Sequence, residues 1–212
     1  MGSQSDGVKV RVMNLFRSKT AILVIVLATL PYGTAHTESL AVRNCTWCHG
    51  VSAHGYTPAP ALAGQRPQYI EKQLLNFAEH TRDNPFSKQY MWGASASLSP
   101  ATAHALAFYF STLSPIAAND GDRVLEAKGR TIYQLGNPEA NTAACVVCHG
   151  PNAEGVGEIP RLGGLSYAYL KRRLEQWGEG YHTTAKAPMP RIASKLSPDQ
   201  IDALASYLSF MQ

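Results

Sequence analysis

The sequence is short of charge, of cysteine and of long apolar runs, and each shortage excludes something. Only 16% of its 212 residues are Asp, Glu, Lys or Arg, and the formal net charge is +4. Lys9, Arg11, Arg17 and Lys19 against Asp6 place +3 in the first 35 residues, which leaves +1 for the rest. There is no basic field for a nucleic acid, and gross charge selects no partner. The apolar run Ala21–Leu30 has ten residues, against the about 20 that a membrane span needs. No second run reaches spanning length, and no segment is of low complexity. With no strand pattern around the cysteines, a thioredoxin-like βαβ context is missing as well.

What is present is concentrated in two places. All four cysteines fall in Cys45-Thr46-Trp47-Cys48-His49 and Cys145-Val146-Val147-Cys148-His149. Each is C-x-x-C-H, the attachment signature of a c-type haem. Cysteines three apart share a face of a helical turn, where each can form a thioether with one haem vinyl group. The following histidine then reaches the iron as its proximal ligand. Zinc usually gathers its ligands more closely than two pairs 100 residues apart. Two disulfides would leave the paired histidines unexplained. The motifs therefore predict two covalently bound haem c groups, held by Cys45, Cys48, Cys145 and Cys148.

The chain repeats itself at this same spacing. At an offset of 100, Gly150, Gly155, Pro160, Leu162 and Gly164 fall on Gly50, Gly55, Pro60, Leu62 and Gly64. Tyr169, Leu170, Leu174 and Trp177 fall on Tyr69, Ile70, Leu74 and Phe77. The offset then becomes 98, and Met189 falls on Met91 and Leu196-Ser197-Pro198 on Leu98-Ser99-Pro100. This is a duplicated haem domain. The reading is a leader over residues 1–35, a first domain over 36–113, a linker over 114–121 and a second domain over 122–212. The leader has a basic front, the apolar run, the helix breakers Pro31 and Gly33, and small residues before His36. Cleavage is expected after Ala35. An uncleaved anchor is the rival reading, against which the length of the run argues.

The local patterns are helical. Apolar spacing predicts helices over 67–81 and 167–178. Ser99 and Ser197 are expected N-caps, with Pro100 and Pro198 in the first helical position and a capping box from Ser197 to Gln200. Ile201, Leu204, Leu208 and Met211 form a stripe. A helix is expected near Asp122–Leu135, ended by Gly136, and a shorter one near 38–44. Gly129 costs roughly 1 kcal/mol against alanine inside a helix, so a close crossing with the terminal helix near Tyr207 is expected. Each half is small and buries little surface alone, so neither is expected to fold stably without haem.

The mature chain has three methionines, and Met91 and Met189 occupy matching places. A thioether is a soft, neutral ligand that favours ferrous iron. Axial ligation by His49 and Met91, and by His149 and Met189, is expected, while Met211 is read as packing. Pro188 and Pro190 should stiffen the Met189 loop, and Met91 is expected in a looser loop. His36, His54, His80, His104 and His182 are unduplicated competitors. The Pro60 and Pro160 carbonyls are candidates to accept from the haem histidines. Tyr69, Tyr169, Arg66 and Arg161 are candidates for haem propionates, and Trp47, Phe77 and Trp177 for packing on haem or helix faces.

The two C-x-x-C-H-G runs, Pro60-x-Leu62-Ala63-Gly64-Gln65, Pro160-x-Leu162-x-Gly164, Tyr69, Tyr169, Met91, Met189 and the final S-P-D-Q-I-D-A-L-A-S-Y-L stretch carry a resemblance over roughly residues 37–212. The chain resembles the di-haem cytochromes c of the c4 family. That resemblance implies an all-α fold, two tandem cytochrome c domains related by pseudo-twofold symmetry, with propionate edges near the domain interface. It implies an electron carrier rather than an enzyme. The carrier would be periplasmic, soluble or membrane-associated, passing electrons from a cytochrome bc1-type complex or a dehydrogenase to a terminal oxidase. A cytochrome subunit of a periplasmic dehydrogenase is the alternative. A haem enzyme would need a labile or unusual ligand, and no fifth cysteine is present to supply a thiolate.

Overall fold

In the computed structural model, residues 39–181 and 188–212 are described. The expected leader, His36 and His182 lie outside them. The first half begins with α1 (Leu40–His49), capped by Ser39 Oγ accepting from the Val42 N–H. This helix runs through the whole Cys45–His49 motif. The expectation of a short helix near 38–44 that stops before the cysteines is therefore corrected. Nothing between Leu40 and His49 breaks the helix, and Gly50 (φ +83°) ends it. α2 (Pro67–Ala78) follows, with Pro67 at the first helical position and Ile70, Leu74 and Phe77 buried. It stops three residues short of the expected 81, where His80 takes a left-handed φ of +60°.

A π-helical turn, Ser87–Met91, leads into α3 (Trp92–Ser95), and α4 (Pro100–Thr112) closes the half with Ser99 as N-cap. Met91 thus ends a wound turn, which corrects the loose loop expected there. π turns are rare and often occur at functional sites. In the buried cluster of this half, α2 and α4 meet through Ile70, Leu74, Ala103, Leu106 and Phe110.

The second half opens with a 3₁₀ turn (Arg123–Leu125) and α5 (Glu126–Leu135), capped at its C-terminus by Gly136 at φ +72°. α6 (Val146–His149) holds the second motif, α7 spans Tyr167–Gly178, α8 Met189–Ala193 and α9 Pro198–Ser209. α7 has the expected bounds. Met189 is the first residue of α8, behind Pro188, rather than part of a loop. The Ser197–Gln200 capping box is formed in full. Ile201, Leu204 and Leu208 are buried as one stripe on α9, while Met211 lies past the helix end and packs on the same cluster.

α5 crosses α9 at Gly129. A Cβ there would stand 2.1 Å from the Ala203 carbonyl oxygen and 2.6 Å from the Tyr207 Cβ, so only glycine permits this approach. Among the described residues there is no strand, only isolated bridges at Tyr56–Ala59, Asn137–Thr142 and Val156–Ile159.

The repeat is visible in the backbone. The Gly55 N–H donates to His49 O (2.9 Å) and the Gly155 N–H to His149 O (2.8 Å). Gly64 N–H reaches Phe110 O and Gly164 N–H reaches Leu208 O, the same bond at offsets of 100 and 98. The contacts between the halves are reciprocal too. Lys72 pairs with Glu158, and its counterpart Arg172 donates to the Pro58 carbonyl at 2.8 Å. Residue 72 against 158 and residue 172 against 58 is the signature of a pseudo-twofold axis.

Replacing Ser197 with alanine removes the cap that holds the start of α9. The expected loss is about 1 kcal/mol, or roughly 2–4 °C in the melting temperature of a chain this size. Thermal unfolding followed by circular dichroism checks it.

Candidate functional site

Each motif histidine is buried, His49 7% and His149 5% exposed, at the C-terminal end of a helix. His49 Nδ1 donates to the Pro60 carbonyl at 2.7 Å and His149 Nδ1 to the Pro160 carbonyl at 3.0 Å. A carbonyl only accepts, so Nδ1 carries the proton and the lone pair is on Nε2. This is the tautomer a metal-binding histidine needs, fixed by its outer hydrogen bond. The Pro60 and Pro160 candidates are therefore placed as expected. Burial lowers both histidine pKa values, against the raising effect of the carbonyl bonds, and keeps the rings neutral and able to ligate.

Burial pushes the Cys45 and Cys145 thiols up to about 11, with Cys48 and Cys148 adding to the rise. Among the described residues no three His, Cys, Asp or Glu side chains gather into a metal cage. Each motif thus offers one imidazole nitrogen, which suits an iron whose equatorial donors belong to a porphyrin.

Cys45 and Met91 pack against the same apolar cluster of the first half. In the second half Cys145 lies against its cluster, and Met189 is partly buried at the start of α8. The competing histidines among the described residues are engaged elsewhere. His54 bonds the Ser114 carbonyl (3.1 Å), His80 stacks on Trp92 (ring centroids 4.0 Å apart) and His104 meets Glu71 (2.9 Å). Trp47 is 87% exposed on α1. Phe77 is buried under the Arg82 guanidinium at 4.7 Å.

The junction between the halves holds a cationic and phenolic cluster that sequence reasoning found only in part. Arg82, on the loop after α2, donates through Nη1 to Gln73 (2.8 Å) and through Nη2 to the Tyr169 hydroxyl (3.5 Å). Burial pulls the Arg173 guanidinium down to about 10, aided by Arg82. Burial pushes the Tyr69 phenol up to about 12, with Tyr169 beside it. Arg82 is 8% exposed, and a buried cation is costly unless an anion joins it. Arg82 Nε and Trp177 Nε1 are buried with no hydrogen-bond partner, and buried donors left open carry a penalty of about 1–3 kcal/mol each. Propionate carboxylates would satisfy both demands, so the residues present fit haem. Arg66 and Arg161 are engaged otherwise: Arg66 Nε crosses the junction to the Glu154 carbonyl (2.6 Å), and Arg161 Nε donates within the second half to the Gly163 carbonyl (2.9 Å). Arg82 and Arg173 were missed because nothing in their sequence setting marks a charge as buried.

Comparison with known proteins decides the identity. The family model for cytochrome c matches residues 36–114 and again 126–212. This chain belongs to the cytochrome c family. It is similar to cytochrome c4 of Thiocapsa roseopersicina, 34% identical over 81% of this chain and 88% of that one. It is similar to a thiosulfate dehydrogenase electron acceptor of Thiomonas intermedia, 35% identical over 78% and 77%. The solved structure of Acidithiobacillus ferrooxidans cytochrome c4 superposes with a TM-score of 0.74 at 32% identity, over 79% of this chain and 98% of the other. The chain is a c4-type di-haem cytochrome c, a non-enzymatic electron carrier that binds two haem c groups. Its partners are redox proteins. Among the described residues no helix is long and apolar enough to cross a membrane.

Proposed function

We propose that Cys45 and Cys48, and Cys145 and Cys148, hold the two haems as thioethers, and that His49 with Met91 and His149 with Met189 close the two irons. The observation that carries this is the matched pair of Nδ1–carbonyl bonds, which leaves Nε2 of each buried histidine to the metal. A haem so held supplies a ferric/ferrous couple. His49 and His149 would each give an iron a neutral nitrogen, and Met91 and Met189 a soft sulfur that favours the ferrous state. We further propose residues 36–113 and 122–212 as the haem domains, 114–121 as their linker, and 1–35 as a leader removed on export to the periplasm. There the protein passes electrons from a bc1-type complex or a dehydrogenase to a terminal oxidase. The likeness to a thiosulfate dehydrogenase electron acceptor favours a second reading, in which a periplasmic dehydrogenase is the donor.

Optical redox titration of the purified protein tests this. Two one-electron steps, with a methionine–iron charge-transfer band from both ferric haems, are expected. A single step, or a band from neither haem, would refute the ligand assignment. Co-purification of a stoichiometric catalytic subunit would decide for the dehydrogenase reading.

A further inference from the structure

The junction contains one asymmetric contact that bears on the second iron. Gln65 is 5% exposed and belongs to the first half, yet it binds the backbone of Arg161 in the second. Its Oε1 accepts from the Arg161 N–H at 2.7 Å, and its Nε2 donates to the Arg161 carbonyl at 2.9 Å. Oε1 also accepts from the Arg66 N–H at 2.9 Å. The Arg161 N–H is one end of the Pro160–Arg161 peptide, and the other end is the Pro160 carbonyl that accepts from His149 Nδ1 at 3.0 Å. A continuous line of hydrogen bonds therefore runs from Gln65 through one peptide group to the haem histidine of the other domain.

The first domain has no counterpart. The repeat places Leu165 opposite Gln65. Among the described residues nothing accepts from the Ala61 N–H of the matching Pro60–Ala61 peptide. Ala61 instead packs against the apolar cluster to which Leu165 belongs.

We propose that Gln65 is a positioning residue for the second haem, lowering the potential of the His149 iron by polarising the peptide that holds His149. The proposal rests on His149 being an axial ligand, as argued above. A peptide whose N–H donates to an amide oxygen presents a more negative carbonyl, since bonded dipoles in a low-dielectric interior reinforce one another. That carbonyl pulls harder on the Nδ1 proton, makes the imidazole a stronger donor to iron and favours the ferric state. The first iron receives none of this. One domain thus biases the redox level of its neighbour, and the bias disappears when the halves separate.

Gln65→Leu, which copies the residue the repeat carries at 165, is the test. It is read by redox titration with the haem methyl NMR signals of each domain followed separately. The ferric/ferrous ratio of the second haem is expected to move about threefold toward ferrous. That equals about 28 mV at 59 mV per tenfold. The first haem should hold its value, and the Arg161 amide proton should lose its hydrogen-exchange protection and move upfield. Equal shifts of both haems, or no shift at the second, would overturn the proposal, since a purely structural contact has no reason to single out His149. If Gln65→Leu does not load with haem, Leu165→Gln decides. It offers the same acceptor to the Ala61 N–H and should move the first haem toward ferric, whereas an unmoved first haem refutes the idea. Loss of the methionine–iron band in the unaltered protein would instead count against the axial ligands themselves.

Discussion

Replacing Met189 with alanine is expected to open the second iron to carbon monoxide and to lower its potential, while the first haem keeps its ligand. The expected fall is on the order of 0.1 V or more, within the roughly 0.8 V that axial ligation spans. The physical reason is the thioether. As a neutral, soft ligand it favours ferrous iron, and a small cavity or a water in its place does not. Met91→Ala should do the same at the first iron, and the two variants should be additive because each removes one ligand from one site.

Met211→Ala supplies the contrast. Met211 packs beside Gly163 and against the second core cluster, so its loss should lower stability and leave both charge-transfer bands intact. Carbon monoxide difference spectra of the three reduced variants check the set. Ready binding by the unaltered protein, or by Met211→Ala, would contradict the assignment.

A second large effect is expected at Gly129. Gly129→Val would force a branched side chain between α5 and α9 where even a Cβ lies 2.1 Å from the backbone oxygen of Ala203. No rotamer relieves a clash with backbone, so the helices must part. Leaving glycine for a better helix former returns up to about 1 kcal/mol. Overpacking costs about 1–3 kcal/mol and at times more, so the loss wins. Gly129→Ala should destabilise by up to about 2 kcal/mol on this balance, and Gly129→Val by more. Parting the helices also frees Tyr133, which is fully buried against Tyr207 and donates to Gly150 O at 2.6 Å, next to the haem histidine. The second haem should therefore lose its native spectrum at a lower temperature than the first. Lys128→Ala, one residue away but exposed, should leave the melting curve unchanged. Thermal melts monitored in the haem absorption band provide the measurement, and equal melting of Gly129→Val and the unaltered protein would refute the close crossing.

Much of this was legible before any coordinates. The offset of 100 residues shows itself in composition and returns in the backbone bonds of Gly55 and Gly155. Capping chemistry is local, so Ser197, Pro198 and Gln200 marked the start of α9, and apolar spacing marked α7 to the residue. Gly129 was readable because an internal helical glycine needs a reason.

What escaped depends on contacts between distant parts. α1 continues through the haem motif because nothing stops it before Gly50, and motif reading looks at the cysteines rather than at the helix around them. The π turn ahead of Met91 has no propensity signal of its own. Arg82 and Arg173 look like surface charges until the two halves meet, Arg82 coming from the first and Arg173 from the second. Gln65 did leave a trace: it breaks the repeat by placing an amide where the second half has Leu165. Such a polar-for-apolar mismatch between otherwise matching halves is a usable sign of an interface.

The central claim is that each half of the chain carries its own covalently tethered haem. It is tested most directly by the mass of the purified, fully denatured polypeptide. The account predicts a chain that retains two haems after acid extraction. A chain that retains one haem, or that releases both, would contradict it.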